Sequence, residues 1–351
     1  MDKMLSCLIH NFRLSGNAVS CERYGCGHIN ETYLVCTDAG RRYILQKVSA
    51  AAFKDIPGLM NNIILVTEWL SGINPDPRAS LHLISTLDGG KYFMDDAGGY
   101  WRLYDFVEGT VCLQKPETME EFAESATAFG GFQQSLAGFP AEKLVETIPH
   151  FHDTVDRYRI FHEVLRKDPV HRASGVQEEI AFYLSHEQEA GTLTAMQRQG
   201  LLPTRVTHND TKLNNVLLDA QTHKTVCVID LDTVMPGLSL YDFGDSIRFG
   251  AATAAEDELD LTRVHMDLAM YHAFAQAFLK ACPGLTEQEK KMLPMGAKLM
   301  TLECGLRFLT DYLDGDHYFG ITHPTHNLER SHTQMTLVRD MEEKWAEMQL
   351  C

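Results

Sequence analysis

The sequence predicts an α+β fold in two lobes, from three observations. Glycine-bearing and β-prone runs crowd the first hundred or so residues, with one helical stretch among them. After Gly109 the apolar spacing turns helical. Short β-prone runs then return over 205–230, inside the otherwise helical remainder.

Residues 1–20 read as a short helical or irregular lead-in. A loop at Tyr24-Gly25-Cys26-Gly27-His28 leads into a β-prone run ending at Val35. Gly40 marks a turn, and Tyr43-Ile44-Leu45-Gln46-Lys47-Val48 is the next strand. Asp55 and Pro57 open a helix carrying Met60, Ile63, Ile64, Val66 and Leu70 at near 3.6-residue spacing. The Asn74-Pro75-Asp76-Pro77 cluster ends that pattern. Strands are expected around 81–86, 92–94 and 100–106. Helices follow over Phe122–Leu136, over 174–199 and across most of 256–349, with a loop at 315–327. The expected boundary lies at 105/106, giving lobes 1–105 and 106–351.

The chain has 351 residues, 44% hydrophobic and 23% charged, with a net charge of −17. That acidity opposes non-specific attraction to nucleic acid or an anionic membrane surface. No apolar run approaches the roughly 18–20 residues that span a bilayer. The N-terminus lacks a basic, then apolar leader, and the nine cysteines form no C-x-x-C pair. The expectation is a cytoplasmic enzyme with reduced thiols. Composition is silent on oligomeric state.

Chemistry concentrates in His208-Asn209-Asp210-Thr211-Lys212-Leu213-Asn214-Asn215, followed by the apolar runs 216–218 and 226–229 and then Asp230-Leu231-Asp232. The two runs flank a polar turn, a hairpin pattern. With Val216 opposite Ile229, Asn215 and Asp230 stand at neighbouring strand ends, with opposing Cα atoms about 4.5–5.5 Å apart. An amide oxygen and a carboxylate suit a hard cation such as Mg²⁺, which also takes phosphate oxygens. Asp210, in the entering loop, is placed to accept the proton of an attacking hydroxyl. Phosphoryl transfer needs a positioned nucleophile, a base and cations on the phosphates. His208 is expected to hold the loop.

The H-x-D-x4-N pattern with its following I-D resembles the aminoglycoside phosphotransferase and choline kinase superfamily, and is similar to the H-R-D-x4-N and D-F-G pair of protein kinases. The resemblance implies a protein-kinase-like fold, with a small, mostly antiparallel β N-lobe with one helix and a larger, mainly helical C-lobe. It makes Asp210 the base and Asn215 and Asp230 the Mg²⁺ ligands, with ATP as donor. Longer strings resemble the N-acetylhexosamine 1-kinases: the 208–215 segment, Asp230–Gly237, Tyr241–Arg248, Phe129–Gln133 and Arg307–Leu313. They imply an amino-sugar acceptor phosphorylated at its anomeric hydroxyl, with Asp210, Asp242, Asp245, Arg248, Arg307, Asp311 and Tyr312 as acceptor-site candidates, polar groups that can orient hydroxyls.

On the donor side, Gly25 and Gly27 are candidates for the phosphate loop. Gln46 stands where a kinase-like third strand carries lysine, with Lys47 one place later. Adjacent strand residues face opposite sides, so only one of them meets the nucleotide. Glu68 is a candidate partner, or simply surface charge. By resemblance Arg102–Gly109, with Tyr104, forms the hinge against adenine. The pair His150 and His152 lacks a third metal ligand nearby.

Two other classes stay open on the sequence: a kinase-like nucleotide-binding module without catalysis, and a metal-dependent hydrolase using His208, Asp210, Asp230 and Asp232. Among kinases, choline, homoserine and aminoglycoside acceptors compete with the hexosamine.

Overall fold

The computed structural model describes residues 3–25 and 29–349, so the candidate Gly27 lies outside the described residues. In chain order the elements are α1 (Lys3–Ile9), β1 (Ala18–Arg23), β2 (Glu31–Thr37), β3 (Arg42–Val48), α2 (Ile56–Ile73), β4 (Phe93–Met94), β5 (Tyr100–Asp105), β6 (Thr110–Cys112), α3 (Met119–Ser135), α4 (Thr154–Lys167), α5 (Gln177–His186), α6 (Thr192–Arg198), β7 (Arg205–Thr207), β8 (Val216–Asp219), β9 (Thr225–Val228), β10 (Met235–Gly237), α7 (Ser239–Gly250), α8 (Leu268–Ala281), α9 (Glu287–Asp314), α10 (His326–Glu343) and α11 (Trp345–Met348). The α+β class holds: an antiparallel sheet dominates the N-terminal part and helices the C-terminal part. Among the described residues no helix is long and apolar enough to cross a membrane.

The chain divides into two compact units. The first holds 1–112, 138–149 and 216–236; the second holds 113–137, 150–215 and 237–351. A single cut at 105/106 misses the two later segments of the first unit. Long-range contacts recruit them. Asn62 on α2 donates to Val145 O at 2.8 Å and to Val234 O at 3.0 Å, and accepts from Val145 N at 3.0 Å.

In the first unit five antiparallel strands run in the order β1-β2-β3-β5-β4. The sequence reading missed β1, and the expected strand at 81–86 is reduced to isolated bridges at Leu83 and Thr86. Strand alternation sorts the side chains. Tyr43, Leu45, Trp101 and Leu103 bury against Leu5, Leu8 and Ile9 of α1. Gln46 and Arg102, a register pair, point to the other face, where Arg102 meets Met60 of α2. Helix α2 begins as expected, with Asp55 accepting from Gly58 N at 2.9 Å.

Hairpin β8–β9 pairs Val216 with Val228, not with Ile229. The apolar run suggested a strand reaching 229, but Asp230 takes φ +61° and turns the chain into a 3₁₀ turn, Leu231–Thr233.

The second unit packs helices around aromatic rings: Phe122 on Phe274 at 4.7 Å, and Phe243 against Phe274 and Phe278 at 5.7 and 5.5 Å. Helices α7 and α9 cross closely because both carry glycine at the crossing. A Cβ on Gly244 would lie 2.3 Å from Gly296 O, and one on Gly296 would lie 2.6 Å from Leu240 O. Backbone cannot yield as a side chain does. Gly244→Ala is therefore expected to cost at least the usual overpacking penalty of about 1–3 kcal/mol. Urea unfolding reads the loss, and an unchanged midpoint would contradict this crossing.

Candidate active site

The decisive loop of the second unit runs from β7 to a 3₁₀ turn, Leu213–Asn215. Helix α7 holds it through side chains that reach loop amides. Asp242 accepts from His208 N at 2.9 Å, from Asn209 N at 2.7 Å and from Gln133 Nε2 at 2.7 Å. Asp245 accepts from Thr211 N at 3.1 Å, and Ser246 Oγ donates to Thr211 O at 2.9 Å. Asn209 sits at φ +65°, a left-handed conformation that Asn tolerates better than most residues. The His208 ring is buried between Phe129 and Phe132, at 5.3 and 5.9 Å.

This scaffold aims Asp210. Lys212 Nζ lies 2.9 Å from one carboxylate oxygen, and Asn215 Nδ2 donates to the other at 3.0 Å. Asn215 Nδ2 also donates to Asp210 O at 2.8 Å. The carboxylate is held from both sides, yet the side chain keeps 27% exposure, enough to meet a ligand. Lys212 lies in the same 208–215 segment, where the sequence pattern assigns it no role. Burial disfavours its charge, but Asp210 and Asp245 more than offset this and raise its pKa. Burial likewise works against the Asp245 carboxylate, yet the Arg248 and Lys212 cations hold it below the usual range. Burial pushes Asp242 upward, against the N–H donors that favour its charge.

The expectation that Asp242, Asp245 and Arg248 meet the acceptor is revised by this geometry. Asp242 is 0% exposed and committed to the loop. Arg248 is buried, 3.1 Å from Asp245 and 2.6 Å from Glu256. Tyr312 carries the Arg172 guanidinium over its ring at 4.4 Å. Arg307 is half-buried among aromatic rings. Its guanidinium lies 5.4–5.7 Å from the ring centres of Phe151, Tyr318 and Phe319, and Nη2 donates to Tyr318 OH at 3.3 Å.

A chain of contacts missed in the sequence links this corner to the base loop. His152 Nδ1 is 2.9 Å from Glu303 Oε1, one helical turn from Arg307, while Nε2 is 3.4 Å from Asn209 O. His152 is thus engaged with α9 rather than paired with His150. Elsewhere His186, Glu189 and Glu342 come within metal-ligand reach of one another, but the Lys298 ammonium already lies 2.7 Å from Glu189 and 2.8 Å from Glu342.

In the first unit Gly25 takes φ +78°, which glycine adopts without strain. Lys47 shares the α1 face with Trp101: its Nζ lies 5.5 Å from that ring and 4.0 Å from Glu31. Gln46 faces the other way and accepts from Arg102 Nε at 2.9 Å and Nη2 at 2.8 Å. The Arg102 Nη1 donates to Asp232, which also accepts from Asn30. Arg102 therefore lies inside β5 and is buried. Tyr104, on the same face, is buried, with no partner for its hydroxyl among the described residues. Glu68 is exposed.

A model of the phosphotransferase enzyme family (APH) matches residues 20–277. The chain belongs to this family. Membership supports ATP-dependent small-molecule kinase activity. Solved structures of similar fold include a microcompartment-associated aminopropanol kinase, 17% identical with TM-score 0.62, covering 98% of each chain. A spectinomycin phosphotransferase in complex with ADP and spectinomycin is 14% identical with TM-score 0.61, over 100% of this chain and 99% of that one. A Plasmodium vivax ethanolamine kinase is 12% identical with TM-score 0.54, over 89% and 80%.

The Asn215 Nδ2 is committed to Asp210. In the first unit Asp230 stands on the turn that follows β9.

Proposed function

We propose that this phosphotransferase moves the γ-phosphoryl group of ATP to the anomeric hydroxyl of an N-acetylhexosamine, N-acetylglucosamine or N-acetylgalactosamine, giving the sugar 1-phosphate. The carrying observation is the Asp210 carboxylate, fixed by Lys212 and Asn215 and still open to a ligand. A base must be within hydrogen-bond reach of the proton it takes, and a clamped carboxylate keeps its aim. Asn215 and Asp230 would hold Mg²⁺, which would screen the phosphate charge when bound. Gly25 and Gly27 are assigned to the phosphates and Tyr104 to the nucleotide side.

The acceptor class follows from what surrounds the base loop. Asp242 and Asp245 are spent on backbone amides and cations, so they offer little to a positively charged acceptor. The contact chain from Asn209 leads instead through His152 and Glu303 to Arg307 among three rings. A guanidinium donates to hydroxyls and to a planar amide oxygen and repels an ammonium, and the three aromatic rings already face that cation. Arg307 is accordingly assigned to the sugar. Asp242, Asp245 and Arg248 are assigned to holding the loop, and Tyr312 to packing.

The test is an ADP-release assay across N-acetylglucosamine, N-acetylgalactosamine, choline, ethanolamine, homoserine and an aminoglycoside. The expected kcat/KM favours the N-acetylhexosamines over every amine by at least about tenfold, the lower end of what a single pocket contact discriminates. Turnover confined to a cationic acceptor would overturn the sugar reading. Tight nucleotide binding without turnover on any acceptor would favour a non-catalytic module.

A further inference from the structure

Position 46, where the kinase pattern carries lysine, holds a glutamine that is engaged by an arginine on the neighbouring strand. Gln46 and Arg102 are register partners on β3 and β5, and the same face carries both side chains. The Gln46 amide oxygen takes two of the guanidinium donors, at 2.9 and 2.8 Å. Its amide nitrogen donates to Thr32 Oγ1 at 3.1 Å, which fixes the flip of the amide. The third arm of the guanidinium reaches the Asp232 carboxylate, whose other oxygen accepts from Asn30. Asn30 is itself tied to Ser49 N at 3.0 Å. Arg102 and Asp232 are 1% and 3% exposed.

Each residue choice has a physical reason. A lysine at 46 has no acceptor and would repel Arg102; glutamine supplies the acceptor. A planar guanidinium can meet Gln46 and Asp232 at once, which an ammonium on a flexible stem does less well. A buried carboxylate without a cation would be strongly disfavoured. Asp232 is two residues from Asp230, on the same tight turn, where Asp230 is held at φ +61°.

We propose that Arg102 is the positioning residue of the metal-binding turn: locked by Gln46, it neutralises and anchors Asp232 so that Asp230 keeps its carboxylate directed to the metal-nucleotide. This rests on the proposed kinase reading. Arg102 thus anchors the turn and does not take over the phosphate contact that the β3 lysine makes in the kinase pattern, while Lys47 stays on the opposite face of the sheet.

The test is calorimetric titration with ADP, with excess Mg²⁺ and in EDTA, on wild type and Arg102→Met. The readout is the ratio of the two affinities. Arg102→Met is expected to cut the Mg²⁺-dependent gain at least tenfold while the affinity in EDTA stays within threefold. General damage to the unit would weaken both affinities alike. A folded variant with the wild-type ratio, or with equal losses in both conditions, would overturn the proposal. Should Arg102→Met not fold, Gln46→Met decides by the same ratio, expected to fall at least threefold; an unchanged ratio would overturn it. Wild-type protein that binds no ADP under either condition would instead sink the kinase reading itself.

Discussion

Asp210→Asn is expected to lower kcat by about a thousandfold, within the range by which a positioned acid–base group accelerates proton transfer. The amide is nearly isosteric and can still accept from Lys212 on its oxygen. It cannot take a proton from an attacking hydroxyl. The loop is held by Asp242, Asp245 and Ser246 rather than by Asp210, so the fold should survive. Nucleotide affinity measured by calorimetry should stay within a few-fold of wild type. The separation of the two readouts matters: turnover near wild type would remove Asp210 from the base role.

Asp242→Ala is expected to produce the largest loss of stability among single changes near the loop. The carboxylate is fully buried and receives three donors, two of them backbone amides of His208 and Asn209. Each buried donor left unmade costs about 1–3 kcal/mol, and neighbouring losses do not simply add. A loss of roughly 3 kcal/mol or more in unfolding free energy is the expected result. Asn209 is at positive φ, so the loop also loses the contact that keeps it in an unfavoured conformation. Activity should fall with stability. Asp242→Asn, which keeps one acceptor oxygen, should lose less of both. Urea denaturation of the two variants checks the order; equal stability of Asp242→Ala and wild type would contradict the scaffold role.

These results bear on how much was legible in the sequence. The 208–215 segment announces itself because its chemistry is written in consecutive residues. The clamp around it is less visible, since Asp242 and Asp245 lie on α7 and meet the loop only after folding. They read as acceptor-site candidates because polar residues beside a motif look functional, and nothing in the string says that their oxygens are spent on amides. The hairpin is legible from its two apolar runs. Its register is not, because Ile229 extends the apolar pattern past the point where Asp230 turns left-handed. Arg102 falls in the segment 102–109 expected to form the hinge, which says nothing of its own contacts. The available signal was an arginine between Trp101 and Leu103 in a strand, beside an unexpected glutamine on the strand before it. Pairing the two required the β3–β5 register, which alternation alone does not give. The recruitment of 138–149 and 216–236 to the first unit was equally hidden, since it depends on Asn62 reaching carbonyls far along the chain.

The most direct test of the account is phosphorus NMR of wild-type protein incubated with Mg²⁺, ATP and N-acetylglucosamine or N-acetylgalactosamine. The account predicts loss of the γ-phosphorus signal, growth of ADP, and a new phosphomonoester resonance split by the anomeric proton. Release of inorganic phosphate alone, or a phosphomonoester coupled to a different sugar proton, would contradict it.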